Sequence, residues 1–231
     1  RKPSKMAKSA QPKAGPGDPA KVTINKIPTG VRGLDDILGG GIPEYSFNLI
    51  GGAPGCGKTT LVHQLAFANA TADRPVLYFT VLGEPVIKML RYQQQFSFYD
   101  DSKVGGALRF INLSEAALQN DLDVVLQEIT AHVAAANPRV VVIDSFRSLA
   151  RRATGEAGEM EVQAFVHRLS QFLVNSEVTS FLVGEYVHDE IRDNPLFTMV
   201  DSILWLSQVT ERNSVVRKLQ VLKLRGQASV P

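Results

Sequence analysis

Apolar residues along the chain fall into two alternating rhythms. Short, nearly continuous runs recur at residues 47–50, 75–81, 108–113, 139–143, 178–183 and 200–206. Runs of that length, bounded by turn residues, predict strands buried on both faces. Between them the spacing lengthens to three and four. Residues 61–68 read as a helix, and Val86, Met89 and Leu90, after Pro85, share one face of another. Leu122, Val125, Leu126, Ile129 and Val133 make a third, closed by Asn137-Pro138, and Phe165, Leu169, Phe172 and Leu173 mark a fourth. A short apolar helix with Leu34, Ile37 and Leu38 ends at three glycines, and residues 214–224 alternate. The stretch 147–160, rich in Arg and Gly, breaks the pattern and is expected to be mobile. Strand, helix, strand, helix predicts an α/β fold with a mostly parallel central sheet and helices on both faces. Ligands of such sheets sit at the carboxyl ends of the strands.

Composition narrows this picture. At 231 residues with 21% charged side chains, the chain can bury one substantial core. The expected organisation is a basic tail at residues 1–22 and one domain at 23–231. The tail holds six Lys or Arg against one Asp, whereas the whole chain carries +2, so the remainder is mildly acidic. Pro, Gly and Ala dominate the tail, too little apolar material to order it, and it reads as a solubilising linker or an adhesive for nucleic acid or acidic partners. No apolar run approaches the ~20 residues of a membrane span, which predicts a cytoplasmic protein without membrane contact. The only cysteine, Cys56, excludes an internal disulfide and fits a reducing compartment. The first Met at position 6 and the ending at Pro231 suggest cuts from a longer chain, with truncation at the carboxyl end.

The chemistry concentrates at L-I-G-G-A-P-G-C-G-K-T-T, residues 49–60, where Gly52, Gly57, Lys58 and Thr59 fit G-x-x-x-x-G-K-S/T between a strand and a helix. Residues Gly52, Ala53, Pro54, Gly55, Cys56, Gly57, Lys58, Thr59 and Thr60 are the expected nucleotide-binding set. Backbone N–H groups of the loop and the helix's positive end would cradle phosphates, with Lys58 reaching the β- and γ-phosphates. Thr59 and Asp144 are the expected Mg²⁺ residues, since a doubly buried strand ending in a carboxylate needs a cation or donor to face it. The expected substrate is therefore a nucleoside triphosphate with Mg²⁺. Cys56 reads as a small residue tolerated inside the loop, with a thiol brake on nucleotide binding as the alternative.

The phrase TGVRGLDDILGGGIP ahead of GGAPGCGKTT, together with Lys223-Leu224-Arg225-Gly226 far downstream, resembles KaiC-family ATPase domains of the RecA-like class from residue 27 to about 228. The resemblance implies a RecA-like P-loop NTPase fold, ATP hydrolysis, a homo-oligomeric hexameric ring and regulatory protein partners of the circadian clock type. In that family the K-x-R-G pair reaches the neighbour's γ-phosphate, which makes Lys223 and Arg225 catalytic candidates in trans. Alternation puts both cations on one face of their strand, and their own segment offers them no acid.

Two departures from the family stand out. Its domains commonly carry two adjacent glutamates after the second strand; here only Glu84 remains, the candidate base for the attacking water. Thr198 lacks the serine neighbour of the autokinase form, and Glu185-Tyr186 lacks the usual following arginine, so self-phosphorylation is not expected. Two alternatives stay open. A RecA-like nucleic-acid motor would use Arg147, Arg151 and Arg152 in its pore, and a non-hydrolysing scaffold would use nucleotide as glue.

Overall fold

A computed structural model describes residues 23–81, 85–113, 121–150 and 155–226. The basic tail, Glu84, Arg151 and Arg152 lie outside the described residues. A small antiparallel pair, β1 (Lys26–Ile27) with β2 (Ile42–Pro43), brackets α1 (Leu34–Ile37). The main sheet begins with β3 (Phe47–Gly52), followed by α2 (Lys58–Asn69), β4 (Val76–Thr80), α3 (Val86–Gln93) and β5 (Leu108–Asn112). Next come α4 (Leu122–Ala136), β6 (Val140–Asp144), α5 (Phe146–Ala150), α6 (Gly155–Asn175) and β7 (Thr179–Glu185). Two single-turn helices, α7 (Glu190–Asp193) and α8 (Leu196–Met199), lead into the hairpin of β8 (Ser202–Glu211) and β9 (Ser214–Leu224).

The seven strands are ordered β5-β4-β6-β7-β3-β8-β9, parallel throughout except for the β8–β9 pair. Every residue of β3 and β4 is buried, which is why both read as nearly continuous apolar runs. Alternate residues feed two cores. On one face Ile50, Tyr78, Val142, Phe181 and Val183 pack beneath α2, with Val62 and Leu65. On the other, Leu49, Phe79, Ile143 and Leu182 meet Ile129 and Val133 of α4 and Leu169 of α6. The five periodic positions of α4 are all buried. Asp121 caps that helix by accepting N–H bonds from Asp123 and Val124 at 2.9 and 3.2 Å, and Asn137 ends it in the left-handed region.

Two segments depart from expectation. The stretch expected to be mobile at 147–160 is largely helical: α5 covers its start, and α6 begins at Gly155 and absorbs its end. The apolar spacing seen at Phe165–Leu173 continues backward to Val162, which packs on the core. Packing there outweighs the roughly 1 kcal/mol that each helical glycine costs. The strand expected to stop at 206 also runs on to Glu211. Its second half is largely exposed, so pairing with β9 and not burial sustains it.

His63 of α2 is fully buried, stacked on Tyr78 with ring centroids 4.6 Å apart, and neither ring nitrogen has a hydrogen-bond partner among the described residues. Burial lowers its pKa from the usual 6.5 to about 3, so the folded protein holds it neutral. The unfolded chain takes up a proton below about pH 6.5 and the folded one does not, so this stability is intact above 6.5 and falls with acidification. Lowering the pH from 7 to 5 should cost the wild type about 2 kcal/mol more than His63→Phe, since all other groups are shared. Urea midpoints at the two pH values read this, and identical slopes for both proteins would contradict it.

Candidate nucleotide site

The phosphate loop forms because β3 runs directly into α2 with glycine at the points of closest approach. At Gly52 φ is 144°, and a Cβ there would stand 2.0 Å from the Leu206 carbonyl oxygen of β8. No other residue fits. Gly57, in the left-handed region, precedes α2, whose first turn has neither a side-chain cap nor an acidic residue. The first N–H groups of α2 are thereby left to an anion from solution, the donor arrangement that receives phosphates. Lys58 is only 7% exposed, and its ammonium folds back to donate to the Ala53 carbonyl at 2.7 Å. Cys56 is buried with the α2-side core, 3.8 Å from that ammonium. Its thiol is a packing group closed to solvent, which favours the reading of a tolerated small residue.

Asp144 closes β6 beside this loop. Its Oδ2 accepts from the Thr59 hydroxyl at 3.0 Å and from the Tyr78 hydroxyl at 2.7 Å. Burial raises the pKa of Asp144, and the Glu185 charge pushes the same way; the bonds from Tyr78 and Thr59 and the Lys58 charge oppose it. Tyr78 is raised well above its usual value, first by burial and then by the charge of Asp144 and the bond to it. Thr59 and Asp144 thus present hard oxygens within one hydrogen bond of each other, a set that suits Mg²⁺ completed by water and phosphate oxygens. A cleft of about 290 Å³ opens here, walled by Gly57, Lys58, Thr59, Asp144 and Glu185. A larger one of about 490 Å³ lies between α5, α6 and α7, but it has no glycine loop and no long-helix start.

Two residues of this region were not among the expected site residues. Glu185 ends β7 opposite Gly52 and lines the phosphate cleft. Strand alternation from Phe181 and Val183 was the available signal. Arg217, on β9, has its Cδ 3.9 Å from where a Cβ on Gly57 would stand. Only the pairing of β9 with β8 reveals that approach, since the two residues are far apart in the chain.

Lys223 and Arg225 lie elsewhere. Leu224 pairs with Ser202, which pairs with Asn48, at the amino end of the parallel strands, whereas Gly52 is level with Leu206. That separates Arg225 from its own phosphate loop by roughly 16 Å along the sheet. As expected, the two side chains share a face: Lys223 donates to the Phe197 and Thr198 carbonyls at 3.1 and 2.9 Å, and Arg225 to the Thr198 carbonyl at 3.2 Å. Their own segment offers them no acid, as expected, and the acid that Arg225 meets comes from elsewhere in the chain, Asp201 at 3.3 Å. Asp201 precedes β8, and the antiparallel hairpin returns Arg225 to it. Burial, and then the Arg225 charge, lowers the pKa of Lys223, with Asp201 opposing. Arg147 is committed too, paired with Glu190 at 2.6 Å and stacked over the Tyr186 ring at 4.7 Å.

Comparison with known proteins agrees with this geometry. The KaiC ATPase family matches residues 27–230. The circadian clock oscillator protein KaiC of Acaryochloris marina is 29% identical over 206 residues, covering 87% of this chain and 38% of that protein. The DNA repair protein RadA of Pseudomonas aeruginosa is 31% identical over 213 residues, covering 89% and 43%. The chain thus spans about two fifths of the length of these relatives. A crystal structure of a KaiC-like protein from Pyrococcus horikoshii superposes with a TM-score of 0.70 at 23% identity, covering 88% of this chain and 90% of that one, a likeness of fold. With the family matched over nearly all of the described fold, and with its phosphate loop and strand-end aspartate in contact, the chain belongs to the KaiC ATPase family.

Proposed function

We propose that this domain binds ATP at residues 52–60 with Mg²⁺ and hydrolyses it, and that it does so as one member of a ring of identical subunits, hexameric by resemblance to its family. The observation that carries the reading is the uncapped start of α2 beside the Thr59–Asp144 contact, phosphate donors and metal oxygens in one cleft. The backbone N–H groups of the loop hold the β- and γ-phosphates, and Lys58 exchanges the Ala53 carbonyl for them. Thr59 and Asp144 would hold Mg²⁺, which would supply neutralisation of the phosphate charge. Tyr78 fixes the Asp144 carboxylate by its 2.7 Å bond. Glu84, after β4, is assigned to the attacking water.

Lys223 and Arg225 are assigned to the nucleotide of a neighbouring subunit. What supports this is distance: they lie at the opposite end of the sheet from their own loop, with the Arg225 side chain 58% exposed. Subunit contact would then vary with the nucleotide state, which makes regulatory partner binding the output of the cycle. The second reading, a nucleic-acid motor, draws on the likeness to the DNA repair protein RadA. Against it, Arg147 is held by Glu190 and Tyr186. Steep salt dependence of single-stranded DNA binding would favour it. ATP-dependent assembly without phosphate release would favour a scaffold.

Three measurements bear on the proposal. Lys58→Ala should abolish ATP binding in calorimetry while the circular dichroism of the fold is kept; unchanged affinity would remove the site assignment. Glu84→Gln should slow turnover at least about a hundredfold with binding retained, and wild-type turnover would leave Glu84 a helix-start acid. Finally, Arg225→Ala and Lys58→Ala proteins, each inactive alone, should recover ATPase activity when mixed, because some interfaces then join an intact loop to an intact arginine. The effect of a cation at the γ-phosphate is on the order of 10³ to 10⁵ in rate. Mixed assemblies that stay inactive, with their composition verified by mass, would return Arg225 to its own subunit's fold.

A further inference from the structure

Strand parity decides which side chains reach the phosphates. Residues of the central strands that face α2 are Tyr78 on β4, Val142 on β6 and Val183 on β7, all in the α2-side core. Two residues further on, and therefore on the same face, stand Thr80, Asp144 and Glu185. In β6–β7 pairing Asp144 is level with Val183, and in β7–β3 pairing Glu185 is level with Gly52. Glu185 is thus one strand from the metal aspartate and one strand from the phosphate loop, at the mouth of the crevice between them. It walls the same cleft as Lys58 and Thr59.

Its backbone is firmly set. The N–H of Tyr186 donates to the Gly52 carbonyl at 3.3 Å. The Tyr186 ring folds back so closely that a Cβ on Gly184 would stand 2.4 Å from it. Arg147 then covers that ring at 4.7 Å. By contrast the Glu185 side chain is exposed and makes no hydrogen bond or ion pair among the described residues, while its charge acts on Asp144. Asp144 is already engaged: it is only partly exposed, and its Oδ2 takes two donors. Among the described residues, Glu185 is the other carboxylate lining the cleft.

We propose that Glu185 orients the attacking water and receives its proton, an inference that rests on the hydrolysis proposed above. The water oxygen forms a bond to the γ-phosphorus as the bond from that phosphorus to the β–γ bridging oxygen breaks, and ADP leaves with the electron pair. One water proton passes to the Glu185 carboxylate and from there to bulk water. The products are ADP, inorganic phosphate and one proton. Glu84, assigned above to the same water, would then help to orient it while Glu185 takes the proton.

Glu185→Gln keeps the size of an exposed side chain and removes its capacity for a proton. At saturating ATP and Mg²⁺, turnover should fall at least about a hundredfold although Glu84 is intact. ATP affinity should stay within about threefold and the melting temperature should be unchanged, since this carboxylate is exposed and without a hydrogen bond among the described residues. Three results would each overturn the assignment. Wild-type turnover would make Glu185 a solubilising strand-end acid. Recovery on raising Mg²⁺ would make it a metal-holding group, and loss of ATP affinity would make it a nucleotide contact. Absence of turnover in the wild-type protein itself would instead defeat the hydrolysis reading, and this assignment with it.

Discussion

A carboxylate at the end of a strand buried on both faces costs several kcal/mol unless donors or a cation meet it. In this fold the Asp144 charge is met from two directions, by Thr59 at the start of α2 and by Tyr78 from the neighbouring strand. Those contacts tie the phosphate loop to a strand that lies two positions away in the sheet and 85 residues on in sequence. They also fix the rotation of α2, because Thr59 must face β6. With that rotation set, Lys58 points into the loop and the uncapped N–H groups open onto the same cleft. Neutral His63, one turn further along α2, completes the arrangement by stacking on the ring of Tyr78. An isolated charge buried there would undo both the packing and the alignment.

The sheet separates this cleft from the Lys223–Arg225 pair. Those cations are held by the carbonyl ends of α8 and by Asp201, whose Oδ2 also accepts the Phe47 N–H at 2.9 Å. Asp201 therefore connects the start of the phosphate-loop strand to the arginine. A half-exposed pair of this kind contributes little to stability, about 1 kcal/mol or less. Its effect is geometric, since it holds the guanidinium at the amino end of the strands. In a ring, that would let a change at one subunit's nucleotide be felt at the next subunit's β3.

How much of this was legible in the sequence follows from the range of the forces involved. The Gly52–Thr59 loop and the α4 stripe are local, set by backbone freedom and by a period of 3.6, so both could be read from spacing alone. Asp144 was legible because a charge closing the run Val140–Ile143 violates burial unless it has a partner. Tyr78 as that partner was not, because its ring looks like any core aromatic until β4 is seen beside β6. The Arg225–Asp201 pair and the Arg217 approach depend on the antiparallel register of β8 and β9, which no local spacing specifies. Glycines at 155 and 158 misled the reading of α6, since their intrinsic cost was outweighed by packing further along the helix.

The position of Lys58 bears on how nucleotide and fold depend on each other. The residue is 7% exposed, and the close partners of its ammonium among the described residues are a carbonyl oxygen and a thiol. A neutral acceptor compensates a desolvated cation less well than an anion does, because charge-assisted bonds are roughly twice as strong as neutral ones. Asp144 helps at longer range, but its oxygens are engaged by Thr59 and Tyr78. The loop therefore holds a cation short of counter-charge next to donors short of acceptors, and a triphosphate answers both at once. Under the proposed function, binding would stabilise the folded state by RT ln(1 + [L]/Kd), roughly 2.7 kcal/mol at a hundredfold excess over Kd. That stabilisation would fall on the same β3–α2 connection that Asp201 links to the arginine. Nucleotide occupancy and subunit contact would then be coupled through one strand, with no separate signalling element required.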